Sequence, residues 1–93
     1  MNHVNYSKID LREICATNVL AGATAGAQVL SKLIERLGSP ARLTVVYLDF
    51  SRIDVATSSF LRESVVGFRN YCRRNRPEVY PVLANLNSEI YEE

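Results

Sequence analysis

The chain has 93 residues, 47% apolar and 23% charged, with a formal net charge of +1. That length bounds it to one domain, and that apolar content excludes disorder. The near-neutral total leaves no global field to draw in nucleic acid or a membrane surface. The basic residues are nevertheless lopsided: nine of the eleven are Arg, with Arg69, Arg73, Arg74 and Arg76 close together. Asn2, His3, Asn5 and Ser7 stand where a signal peptide would carry basic and then apolar residues. The apolar stretch 19–37 is interrupted by Gln28, Lys32, Glu35 and Arg36, well short of a membrane span. A soluble, cytoplasmic protein is expected.

Residues 4–20 carry Val4, Tyr6, Ile9, Leu11, Ile14 and Val19, which predict one or two short strands, with Ile9 and Leu11 opposite Asp10 and Arg12. Gly22 and Gly26 bracket an alanine-rich stretch. Val29, Leu30, Leu33, Ile34 and Leu37 then recur at helical spacing, so a helix is expected over 24–37, stopped by Gly38 and Ser39-Pro40. The apolar, β-branched run 43–48 predicts a strand buried on both faces of a sheet. An acidic turn and a second short strand lead to Thr57-Ser58-Ser59, which opens a helix over 58–74. Its expected buried stripe is Leu61, Val65, Phe68 and Cys72, its wet side Arg62, Arg69 and Arg73, and Pro77 ends it.

A further strand is expected over 79–84, at an edge because Pro81 has no N–H to give a ladder. Asn85-Leu86-Asn87-Ser88 reads as the turn and cap of a last short helix. The expected fold is a single-domain α/β sandwich, a central mixed sheet of about four strands with helices packed on it. Leu33, Val46, Leu48, Val65 and Phe68 should share its core.

Few residues carry chemistry. With His3 the single histidine and Cys15 far from Cys72, no zinc set of the usual kind can be assembled, and buried free thiols are expected. Asp49 and Asp54 are candidates for acid–base or metal work, but with no histidine or phosphate loop beside them a turn role is favoured. A hydrolase on Ser58 or Ser59 would lack a base. No metal, cofactor or catalytic residue is assigned. The hydroxyls of Thr57, Ser58 and Ser59 have two readings that can coexist. One is a helix N-cap, and the other is a phosphorylation site beside the positive helix end. The arginine cluster reads as a solvated helix end or as a phosphate contact. The five scattered tyrosines form no aromatic platform, which counts against nucleic acid.

The segment 48–60, LDFSRIDVATSSF, resembles the STAS-like domains of bacteria, relatives of the STAS domains of anti-sigma factor antagonists and sulphate transporters. Ile9-Asp10-Leu11-Arg12-Glu13-Ile14 and the 28–37 helix are similar to that branch as well. In the antagonist branch a serine at the helix start is phosphorylated by a partner of the histidine-kinase-type ATPase class, which breaks the complex. By this resemblance Ser58 stands at the acceptor position and Ser59 follows it. Thr57 replaces the antagonists' Asp and Phe60 their Gly, while the SSF sequence matches the STAS-like branch. The resemblance implies a non-enzymatic protein-interaction module. Its docking surface would be Thr57, Ser58, Phe60, Leu61 and Arg62, with a protein partner, a histidine-kinase-type ATPase being the candidate, and serine phosphorylation as an off-switch. The alternative is a small nucleic-acid- or nucleotide-binding subunit using Arg69, Arg73, Arg74 and Arg76.

Overall fold

The computed structural model describes residues 4–38 and 42–86, so the helix expected after Leu86 lies outside the described residues. The chain runs through β1 (Asn5–Asp10), α1 (Leu11–Ile14), β2 (Val19–Leu20), α2 (Ala23–Leu37), β3 (Thr44–Asp49) and β4 (Val55–Ala56). It continues through α3 (Ser58–Leu61), a π-helical segment (Arg62–Val66), α4 (Gly67–Asn75) and β5 (Val79–Ala84). No helix among these residues is long and apolar enough to cross a membrane.

The strands form two sheets rather than one mixed sheet of about four. β1, β3 and β5 make a parallel sheet with β3 in the middle, and β2 and β4 make a separate parallel pair. The division has a local cause. After β3 the chain turns at 50–53, closed by the Ile53 N–H donating to the Phe50 carbonyl at 3.0 Å, and both side chains are buried. That turn carries β4 off the main sheet, and the Asp54 N–H finds the Asn18 carbonyl at 2.8 Å beside β2.

Pro81 lies on β5, a strand paired on one side only among the described residues. The Thr44 N–H donates to the Glu78 carbonyl and the Phe50 N–H to the Ala84 carbonyl. That register turns the even-numbered residues of β5 toward β3, so Pro81 points its missing donor outward. It costs the ladder nothing and blunts the edge against another strand.

Helices cover one face of the main sheet. Ile9, Val46, Leu48 and Val79 point into the core, whereas Tyr6, Lys8, Tyr80 and Val82 on the opposite face are exposed and Val45 and Tyr47 are half-buried. The expectation that β3 is buried on both faces is therefore corrected. Among the described residues its second face is shaded only by neighbouring strands, as where the Tyr6 and Tyr47 rings stack 6.2 Å apart at 17°.

The second helical unit buries Phe60, Ser64, Phe68 and Cys72, with Leu61 and Val65 half-buried against them. The expected stripe of Leu61, Val65, Phe68 and Cys72 is thus displaced by one residue in its first half. A four-residue step overshoots one α-helical turn, and the wider π turn absorbs the drift, keeping residues 60, 64, 68 and 72 on one face. Ser64 is tolerated inside because its hydroxyl donates to the Phe60 carbonyl at 2.7 Å.

α2 crosses this unit at Gly26. A Cβ there would stand 2.7 Å from the Phe60 carbonyl oxygen and 2.8 Å from the Glu63 Cβ. Gly26→Ala gains about 1 kcal/mol of helix propensity but must push two helices apart, which costs about 1–3 kcal/mol or more. We expect a net loss of about 1–2 kcal/mol, seen as a lower urea midpoint at unchanged slope. A raised midpoint would show that the helices do not approach here.

Both cysteines are free and buried. Burial pushes the Cys72 thiol up to about 11, with the Glu78 charge adding to it, and burial also raises Cys15. A thiol reagent at neutral pH should label both slowly in the native protein and fully after denaturation. Fast labelling of Cys72 would put that helix face in solvent.

Candidate functional site

The β2·β4 pair brings two helix starts together. Leu20 and Ala56 are register partners, and one residue beyond them the Thr57 N–H donates to the Leu20 carbonyl at 2.9 Å. Thr57 is extended (φ −76°, ψ 159°) and caps the helix: its Oγ1 accepts from the Phe60 N–H at 3.3 Å. The same oxygen accepts from the Gly22 N–H at 3.1 Å, immediately before α2. With both lone pairs engaged, the Thr57 hydroxyl proton is left to reach Ser59 Oγ, 3.2 Å away. One threonine therefore caps α3 and ties it to the start of α2.

Among the three hydroxyls that could cap, the structure selects Thr57. Ser58 and Ser59 are half-buried in the first turn, and Arg62 is exposed. Leu61 is half-buried against the core. Phe60 is 0% exposed, which corrects its expected place on the docking surface: the first turn directs its ring into the core. The side chains left accessible at this junction are those of Thr57, Ser58, Ser59, Leu61 and Arg62.

A second cluster sits at the carboxyl ends of the main sheet, where open α/β sheets place their sites. Asp10 and Asp49 are register partners on adjacent strands. Asp10 accepts the Arg12 N–H on Oδ1 at 2.9 Å, and Arg52 Nε and Nη2 on Oδ2 at 3.0 and 2.7 Å. Burial works to raise its pKa, but the hydrogen bonds from Arg52 and Arg12 prevail and lower it. Asp49 is 4% exposed. Its Oδ1 accepts from Asn85 Nδ2 at 2.8 Å and the Ser51 N–H at 2.9 Å, while Lys8 Nζ lies 3.6 Å from Oδ2. These partners, Asn85 foremost, lower its pKa. Asp54 stands apart and accepts from Asn18 Nδ2 at 2.6 Å. The carboxylates are hydrogen-bonded within turns and strand ends, and no group of three or more metal-ligating side chains occurs among the described residues. Sequence reasoning missed Asp10 because its neighbour on β3 is set by strand register.

The arginine cluster divides. Arg73 and Arg74 lie in the last turn of α4, where the macrodipole favours cations. Arg76 follows the helix, its Nη1 donating to the Asn75 carbonyl at 2.9 Å. Arg69 and Arg73 flank a groove between α4 and β5.

No family model, curated protein or solved structure matches this chain.

Proposed function

We propose that this chain is a non-enzymatic, STAS-like interaction module that docks a protein partner over Thr57, Ser58, Leu61 and Arg62. The observation that carries the reading is the position of Ser58. It is the first residue of a continuous helical unit, beside the Thr57 cap that also holds the start of α2. A phosphate on Ser58 adds about −1.5 to −2 charges at the favourable end of the helix dipole, so the fold tolerates it while the outer surface changes sign. A partner buried against that surface would have to desolvate the new charge. The reading includes a histidine-kinase-type ATPase as the phosphorylating partner. The hydrogen-bonded state of Asp10, Asp49 and Asp54 favours binding over catalysis.

The test combines stability and binding. Because Thr57 supplies the cap, Ser58→Ala should cost less than Thr57→Ala, which should cost about 1–2 kcal/mol. Ser58→Asp should leave stability within about 0.5 kcal/mol, yet weaken a confirmed partner by at least about tenfold in titration calorimetry. Ser58→Ala should bind normally. Equal binding by the Asp and Ala variants would reduce the junction to a helix cap.

A further inference from the structure

We propose that the groove between α4 and β5 binds a small phosphomonoester carrying a planar ring, a ligand of nucleoside monophosphate size. This site is separate from the docking surface at Thr57 and stands or falls without it. The groove has a volume of about 360 Å³ and is lined by Arg69, Arg73, Pro77, Val79, Tyr80 and Pro81. That volume lies at the small end of ligand pockets, about 300–1,000 Å³, which fits one ring and one phosphate and is too small for a folded partner.

Among the described residues no ion pair compensates the charge in the groove. Arg69 and Arg73 are four residues apart on one helix face, where like charges repel. Among the described residues the ion pairs join Lys8 to Asp49 and Arg52 to Asp10, so neither groove arginine has a carboxylate partner. The helix end accounts for Arg73, which lies in the last turn, but Arg69 is a full turn earlier. No acidic residue among the described residues lines the groove. Two arginines lining one hollow supply the charge and the donor forks that a phosphate dianion takes.

The remaining wall suits a ring. Val79 is buried in the floor, whereas Tyr80 borders the groove from a strand position that turns its side chain to the open face of the sheet. Pro77 and Pro81 add rigid apolar surface without backbone donors. Since Pro81 also denies the outer edge of β5 to another strand, this edge is left to a small ligand.

The experiment is a titration of the intact chain, followed by amide and side-chain NMR shifts, with four probes: adenosine monophosphate, phenyl phosphate, inorganic phosphate and adenosine. Adenosine monophosphate and phenyl phosphate should bind, shifting Arg69, Arg73 and Val79. Inorganic phosphate and adenosine, each lacking one half of the recognised pair, should bind at least about tenfold more weakly. Arg69→Gln with Arg73→Gln should weaken both phosphomonoesters by at least about tenfold while the spectrum stays folded. Failure of both phosphomonoesters to bind at millimolar concentration would overturn the proposal. So would undiminished binding by the double variant, or binding of inorganic phosphate as tight as theirs. Tight, strongly salt-dependent binding of a single-stranded oligonucleotide without binding of the monophosphate would also overturn it, in favour of a nucleic-acid surface.

Discussion

Phe60→Ala is expected to remove about 3–5 kcal/mol of stability, measured by urea unfolding at low temperature. The ring is 0% exposed. The same residue's carbonyl accepts the Ser64 hydroxyl at 2.7 Å and lies where a Cβ on Gly26 would collide with it. Truncation therefore opens a cavity in the core, and the hydrogen-bonded turn around it can collapse only partly. Against a domain stability of about 5–15 kcal/mol the loss is large, so Phe60→Leu, which keeps most of the volume, is the companion variant and should retain a folded baseline. A loss under about 1 kcal/mol for the alanine variant would return Phe60 to the surface and restore it as a docking contact.

The long elements were legible because their signals are local. Periodic Val29, Leu33 and Leu37 ending at Gly38 place α2 over Ala23–Leu37, one residue from the expected start. The β-branched run and Pro81 place β3 and β5 within a residue of their bounds. Residues 4–20 resisted because β1, α1 and β2 are only six, four and two residues long, too short for a period to declare itself. The pairing of β2 with β4 and the parallel register depend on contacts across the chain that no window contains. Sequence periodicity also assumes 3.6 residues per turn, which the π segment breaks. Hence Leu61 and Val65 were assigned the buried stripe that belongs to Phe60 and Ser64, and a polar Ser64 gave no sign of burial until its acceptor was in place.

The hydroxyl cluster was visible, but the division of labour within it was not. Which residue caps is decided by where β4 ends, and the decisive second donor, the Gly22 N–H, comes from 35 residues away. The pairing of Asp10 with Asp49 follows the same logic: two strand-end carboxylates meet because β1 and β3 run parallel in register. Charge patterning showed Arg69 and Arg73 as neighbours on a helix. That they face a groove floored by β5 required knowing which face of the sheet carries helices.

That one-sided sheet sets the contrast between two adjacent residues of β3. Leu48 is 0% exposed and faces the helices with Ile9 and Val46. Leu48→Ala should cost about 2–5 kcal/mol, because the central strand is fixed on both sides and leaves the cavity unfilled. Tyr47, one residue earlier, points to the open face, half-buried and stacked on Tyr6. Its truncation removes a cross-strand aromatic contact and some shaded area, a loss of about 1–2 kcal/mol. Urea midpoints at unchanged slope measure both changes. A small loss for Leu48 would mean that β3 is not the centre of the sheet. Equal, large losses would mean that the second face is also packed in solution, since only a covered Tyr47 can cost as much as a core leucine.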